Sequence, residues 1–228
     1  MKIDPYNHKD KYLNWKNRIQ GEIPGISKKN SNLVLQYLND MEKGINVSAL
    51  IKKGSRSYIR LNTLREKMIF FSRNFKAYFG LDDITKIKEE QLIGFFSDMK
   101  NGIIKRQDGK QYVSTATHTK VFKAFWHWYQ KINRKQGRDL PDITIDLDTR
   151  QDKPKWVYLN EEQIRTLCDN SKYEYKVLFT FLYDSGIRSP TELVNMKVSD
   201  FLMCIILQVF GIFRFFGFKK TPNQLKKK

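Results

Sequence analysis

A mainly α-helical chain is predicted: a four-helix domain followed by a second, mostly helical part. Three observations carry that expectation. Apolar residues recur three or four positions apart in successive windows, glycines stand just past the ends of those windows, and a stretch with Pro141 and Pro154 that has lost the period separates the windows from the C-terminal part of the chain. The 228 residues are 40% hydrophobic and 14% aromatic, enough apolar material for one or two packed domains.

Residues 1–29 read as an N-terminal arm, polar and broken by Pro5, Pro24 and Gly25, with only Tyr12, Leu13, Trp15 and Ile19 suggesting a short amphipathic segment. A helical domain over residues 30–138 comes next. Its first helix starts near Ser31, carries Leu33, Leu35, Leu38 and Met41, and stops at Gly44. The second has the clearest period, with Leu61, Leu64, Met68, Phe71, Phe75 and Phe79 on one stripe between Tyr58 and Gly80. Its other side holds Arg60, Arg65, Lys67, Arg73 and Lys76, which suits an ordinary solvated face and a phosphate-facing surface alike. A third helix runs from about Lys88 to Lys100, with Glu89 and Glu90 where the helix dipole favours anions and Leu92, Phe95, Phe96 and Met99 turned inward.

The fourth helix is expected to be capped by Ser114 and to reach about Lys135, with Val121, Phe125, Trp128, Tyr129 and Ile132 as its apolar stripe. Thr115, Thr119, Lys120, Lys123 and Lys131 lie largely off that stripe, a mix of hydroxyl and ammonium groups suited to phosphate oxygens and base edges. Trp126 and His127 read as packing residues rather than base-stacking ones. Residues 139–156, with Asp139, Asp142, Asp146, Asp148 and Asp152 among basic neighbours, read as an extended linker. Residues 157–228 then open with a capping box at Asn160–Gln163 and a strongly apolar helix from Tyr173 to Tyr183, expected to be buried and ended by Gly186.

Charge narrows the function classes. Forty-two Lys and Arg against 24 Asp and Glu leave a net +18, a sign and size that attract polyphosphate. Nucleic acid is therefore the leading partner. Cys168 and Cys204 cannot form a disulfide framework, and His8, His118 and His127 do not approach ligand spacing with them, so neither a metal nor a cofactor is expected. Met1 to Lys11 lacks the apolar run of a secretory signal, which points to a cytoplasmic, DNA-associated protein. No G-x-x-x-x-G-K-[ST] run occurs, which argues against a P-loop nucleotidase.

The most informative stretch is Ser185-Gly186-Ile187-Arg188-Ser189-Pro190-Thr191-Glu192-Leu193. Ser189 reads as an N-cap, Pro190 as the first helical residue and Glu192 as the residue closing the capping box. Arg188 then stands just before a helix N-terminus. A guanidinium there suits a phosphate, and it suits a salt bridge to Glu192 or Asp184 equally well.

The longer run from Leu178 to Phe201, LFTFLYDSGIRSPTELVNMKVSDF, resembles the first conserved box of the tyrosine recombinases, or phage-type integrases, most closely their archaeal and viral members. The helices between Ser31 and Arg138 are similar to that family's core-binding domain. The resemblance implies a four-helix SAM-like core-binding domain, a linker and the incomplete, mostly helical start of a tyrosine recombinase catalytic domain, the two parts closing round duplex DNA. Arg65, Arg73, Thr115, Thr119, Lys120 and Lys123 would then face DNA. Arg188 would match the first catalytic arginine, stabilising charge on the scissile phosphate, and Glu192 the acidic residue that supports it. Glu192 lies four residues after Arg188, one more than in bacterial members.

The family's site also needs a hairpin lysine, an H-x-x-R box, a further His or Trp and a late nucleophilic tyrosine. Past Arg188 these 228 residues contain no histidine, tryptophan or tyrosine, and the only later arginine is Arg214. Lys219 and Lys220 are the nearest candidates for the hairpin lysine. The expectation is a DNA-binding protein of the integrase class, serving DNA integration or recombination of a mobile element or a remnant of one, and inactive in strand cleavage alone. Two other readings stay open. One makes the chain a subunit that supplies Arg188 to a composite site shared with other recombinase protomers. The other makes the apolar run Phe201 to Phe218, with the lysine-rich end after it, a membrane tether for a basic helical domain. The same run also reads as the central strands of a catalytic domain cut short or as out-of-frame translation, and because about thirteen residues precede Arg214, against the roughly twenty a span requires, a membrane anchor is the weakest of these three readings.

Overall fold

The computed structural model describes residues 3–19, 21–46, 54–150, 158–187 and 189–197. Among these it contains seven α-helices, two three-residue 3-10 turns and no strand, so the chain is mainly α. It divides into two compact units: Asn7–Lys153, and Met1–Tyr6 together with Pro154–Lys228.

The larger unit is organised round one long helix. It comprises α1 (His8–Arg18), α2 (Lys28–Lys43), α3 (Tyr58–Phe79), α4 (Glu89–Lys100) and α5 (Ala116–Arg134). The α3 stripe buries Leu61, Leu64, Met68, Phe71 and Phe75, and α1, α2 and α5 all pack on this helix. Phe71 illustrates the core's aromatic character: Phe122 of α5 lies 5.1 Å away and Phe96 of α4 5.9 Å away, both edge-on. Such edge-to-face pairs match ring quadrupoles as well as burying area.

The helix ends obey local chemistry. Ser27 and Ser57 accept the Asn30 and Arg60 N–H groups at 3.2 and 3.4 Å, capping α2 and α3. Helix α2 thus begins ahead of Ser31, which is fully buried and accepts the Ile23 N–H at 3.0 Å. Gly44 ends α2 with φ of +73°, and a Cβ there would lie 2.3 Å from the carbonyl carbon of Gly54, so only glycine fits. Gly80 ends α3 in the same left-handed conformation.

Two segments differ in form from the sequence expectation. Within residues 1–29, the amphipathic patch forms α1 and places Tyr12 in the core at 1% exposure, because its ring finds Trp15 and Tyr58 at 5.9 Å each. Residues 139–150 are not a free linker, since they lie along α5 and bury Thr144 and Leu147. Four α5 side chains fasten them. Lys123 Nζ donates to the Ile145 and Leu147 carbonyls, Trp126 Nε1 to Pro141 at 3.0 Å, Gln130 Nε2 to Leu140 at 2.9 Å, and His127 pairs with Asp142 at 2.9 Å. Trp126 is therefore a buried packing residue, and the exposed His127 is held by Asp142.

The smaller unit holds α6 (Glu161–Asp169) and α7 (Tyr173–Ser185), packed on each other. The capping box at Asn160 and Gln163 is present, with reciprocal bonds of 2.8 and 2.9 Å. Cys168 and Phe181 are its buried hydrophobic residues among those described. Tyr173, Tyr175, Val177 and Tyr183 stand 41–77% exposed, so the helix expected to be buried exposes apolar side chains at several positions round its axis. After Gly186, in the left-handed region at φ +64°, the α-helix expected to open at Ser189 is replaced by a turn and the 3-10 turn Leu193–Asn195. Asn195 ties this turn to the N-terminal segment: its amide donates to the Thr191 carbonyl at 2.8 Å and the Ile3 carbonyl at 2.9 Å, and its oxygen accepts the Ile3 N–H at 2.6 Å.

No helix among the described residues is long and apolar enough to cross a membrane. The run Phe201 to Phe218 and the lysines after it lie outside the described residues.

Candidate nucleic-acid interface

The residues expected to meet DNA on α3 and α5 fall into three structural situations. Lys120 is exposed, with no hydrogen-bond or ion-pair partner among the described residues, and presents a free ammonium on the second turn of α5. Thr115 and Thr119 lie at the start of the same helix. Thr115 is the N-cap residue but makes no side-chain cap bond, while Thr119 is buried and donates its hydroxyl to the Thr115 carbonyl at 3.2 Å. Both line a cleft of about 980 Å³ with Lys100, Gln111, Asp148 and Arg150. The expected cap, Ser114, accepts the Ala116 N–H at 3.3 Å. Helix α5 thus starts with backbone donors at its positive end, beside cationic side chains.

The other three are engaged within the fold. Arg65 stacks on the Trp15 ring at 5.0 Å, pairs with Glu66 at 3.1 Å and leaves its side chain only 15% exposed. Arg73 donates to the Pro24 carbonyl at 2.9 Å, and its guanidinium would lie 2.9 Å from a Cβ at residue 25, so Gly25 permits the approach. Lys123 is turned to the two carbonyls of the 139–150 segment. The off-stripe rule that selects these residues finds side chains outside the main core but cannot tell a solvent-facing charge from one that clasps a neighbouring loop.

Several further cations on this unit are locally neutralised. Lys16 pairs with Glu42 at 2.5 Å, Lys29 with Asp83 at 2.8 Å, Lys76 with Asp82 at 2.9 Å, Arg134 with Asp139 at 3.2 Å and Arg150 with Asp148 at 3.0 Å. Burial pushes the Asp83 carboxyl up, but hydrogen bonds from Lys29 and Thr85 prevail and hold it below the usual carboxylate range. Asp142 is held down in the same way by Thr144 and His127, against its own burial.

One basic pair escapes the sequence reading. Lys67 Nζ lies 2.9 Å from His118 Nε2, linking α3 to α5. His118 is 5% exposed, and burial, then the Lys67 charge, push its imidazole down to about 4. Its Nδ1 has no hydrogen-bond partner. The signal available in sequence is a lone histidine on the core side of a helix, which does not reveal the lysine opposite.

In the smaller unit, Arg188 and the Asp184 side chain lie outside the described residues. Glu192 is exposed and helical in backbone (φ −75°, ψ −43°), and its carbonyl accepts the Asn195 N–H at 3.1 Å. Tyr183, the last tyrosine of the chain, is half exposed on α7. Among the described residues no group of three His, Cys, Asp or Glu side chains gathers to hold a metal ion. No family model, curated protein or solved structure matches the chain.

Proposed function

We propose that this chain binds double-stranded DNA as a protein of the tyrosine recombinase class, with the helical unit as its core-binding part and the start of a catalytic part after it. The observation that carries DNA binding is the charge. A net +18, on a chain several of whose carboxylates are drawn into local pairs, leaves cations such as Lys120 to meet phosphates. The assignment to the recombinase class rests on the run Leu178 to Phe201 and on the order of parts before it. The start of α5, where Thr115 makes no side-chain cap bond and Lys120 stands one turn on, is the expected centre of phosphate contact.

Within these 228 residues the class's nucleophile has no candidate beyond Arg188, so binding without covalent strand cleavage is the proposed activity. The test is fluorescence anisotropy with a labelled duplex across a salt series. Affinity falling by at least about tenfold between 50 and 200 mM salt is expected for several phosphate contacts. Salt-independent binding, or none at low salt, overturns the reading. A nicked suicide duplex should give no covalent protein–DNA adduct.

A further inference from the structure

An asparagine side chain is most open to attack by its own main chain where glycine follows, because no Cβ blocks the approach of the next backbone nitrogen. The sequence holds one such pair, Asn101-Gly102, at the end of α4. Asn101 is the exposed C-cap residue, and its amide makes a single hydrogen bond, donated to Ser97 Oγ at 3.4 Å, beyond the usual range. The Gly102 N–H has no acceptor among the described residues. Its neighbours take the carbonyls at the helix end: the Asn101 N–H goes to Ser97, and those of Ile103 and Ile104 both go to Asp98, at 2.9 and 3.2 Å.

Comparable pairs elsewhere are tied down. Asn30, followed by Ser31, is 1% exposed and its Oδ1 accepts the Ile84 N–H at 2.9 Å. Asn170, followed by Ser171, donates its amide to the Thr166 carbonyl at 2.8 Å. At Asp108-Gly109 the glycine N–H donates to the Arg106 carbonyl at 2.9 Å, and the carboxylate pairs with the Arg106 guanidinium at 3.1 Å. Only at Asn101-Gly102 are the side chain exposed and weakly held and the following N–H without an acceptor.

We propose that Asn101-Gly102 is a self-modifying site, at which Asn101 becomes isoaspartate and aspartate through a cyclic imide and so alters the cleft at the start of α5 as the protein ages. In the step, the Gly102 nitrogen gives its proton to hydroxide and bonds Asn101 Cγ, the Cγ–Nδ2 bond breaks, and Nδ2 takes up a proton from water and leaves as ammonia. Water then opens the imide. Cleavage at Cγ leaves aspartate, and cleavage at the main-chain carbonyl leaves isoaspartate, whose backbone runs through Cβ and Cγ. Asn101 rests at ψ −1°, so the nitrogen must swing toward Cγ, which frees the Asp98 carbonyl from Ile103 and Ile104. The reaction therefore runs from a frayed helix end, a local opening that costs far less than global unfolding.

The cleft feels the product. Gln111 Nε2 donates to the Lys100 carbonyl at 2.7 Å, and a Cβ at Gly102 would lie 3.1 Å from Gln111 Cδ, so the pair sits in the contact that closes the loop between α4 and α5. Lys100 and Gln111 line the cleft together with Thr115 and Arg150. Isoaspartate lengthens the main chain at this contact, and either product puts a negative charge next to Lys100, at the helix end that is already negative. The consequence that conversion weakens duplex binding rests on the DNA-binding reading; the conversion itself does not.

The full chain is kept folded in mildly alkaline buffer, and peptide mass spectrometry follows each asparagine while an isoaspartyl methyltransferase counts isoaspartate. Asn101 is expected to convert at least about fivefold faster than Asn170, because its opening is local. The product should be mostly isoaspartate, and the rate should rise with pH as the Gly102 nitrogen loses its proton more readily. Asn101→Gln keeps an amide but cannot close a five-membered ring, and it should stay unmodified while circular dichroism confirms folding. Should that variant not fold, the unaltered chain decides alone. Asn101 converting no faster than Asn170, or giving aspartate without isoaspartate, overturns the proposal. Duplex affinity of the aged protein is read separately: a converted Asn101 with unchanged affinity leaves the site standing and overturns only its link to DNA.

Discussion

The Lys123 ammonium donates to the Leu147 carbonyl at 3.2 Å, tying the middle of α5 to a segment 24 residues further along the chain. A residue expected to grip phosphate therefore holds the fold together. Lys120, three residues earlier, has no such task.

The two lysines should separate by variant. Lys120→Glu is expected to lower duplex affinity several-fold and reduce its salt dependence while leaving the unfolding midpoint unchanged. Lys123→Ala removes the donor for two carbonyls and should cost about 1–2 kcal/mol of stability. Hydrogen exchange should rise at residues 144–147. Equal behaviour of the two variants in both assays contradicts this division.

Acid should loosen the α3–α5 junction before it reaches the carboxylates. His118 has an ordinary pKa of 6.5 when unfolded and about 4 when folded, so between those values the unfolded chain binds more protons. Stability is then fully present above about pH 6.5 and is lost as pH falls toward 4, by roughly 3 kcal/mol in all. Asp83 and Asp142, held below their usual range, contribute stability that is lost at still lower pH. Urea titrations at intervals from pH 7 to 4 measure the slope, and His118→Phe should flatten it.

A buried carboxylate supports the other side of α5. Asp40 Oδ2 accepts from Trp128 Nε1 at 2.8 Å and from Asn46 Nδ2 at 2.7 Å, at 6% exposure. Asp40→Ala leaves the indole N–H without its acceptor and should cost about 2–4 kcal/mol. Denaturation monitored by tryptophan fluorescence gives the value, and Asp40→Asn, which keeps an acceptor oxygen, should recover part of it.

Two helix-ending glycines should tolerate a methyl group unequally. Gly44 and Gly80 share positive φ, but a Cβ at Gly44 meets the Gly54 backbone at 2.3 Å while Gly80 has nothing within 4 Å. Gly80→Ala should cost about 1 kcal/mol, the ordinary left-handed penalty, and Gly44→Ala clearly more because a backbone segment must move. Thermal melts of the two variants side by side make the comparison.

Helices are legible in this sequence, and their neighbours much less so. Strong periods with glycine stops locate α3 and α4 to within a residue or two, since Leu61, Leu64, Met68, Phe71 and Phe75 all face the core. Residues 139–150 read as a linker because Pro141 and several aspartates break any period. They are held by donors on α5 reaching their carbonyls, an interaction between side chain and distant backbone that leaves no pattern in composition. The apolar residues of α1 are readable as an amphipathic patch, but not that Tyr12 enters the main core with Leu13, Trp15 and Ile19 packed beside it. At the candidate interface, charge and side are readable, but whether Arg65 faces solvent or lies on Trp15 depends on a helix 50 residues away in sequence.

The bonds between Ile3 and Asn195 join the two ends of the described chain. Residues 1–6 belong to the same unit as the segment beyond 154, so the polypeptide enters the helical unit at residue 7 and leaves it at residue 153. The helical unit is in effect an insertion within the smaller one. A fusion partner or affinity tag at Met1 therefore extends the unit to which Glu192 belongs. Expressing residues 7–153 alone is the cleaner dissection, because it cuts the chain at both crossings and leaves no orphaned hexapeptide behind.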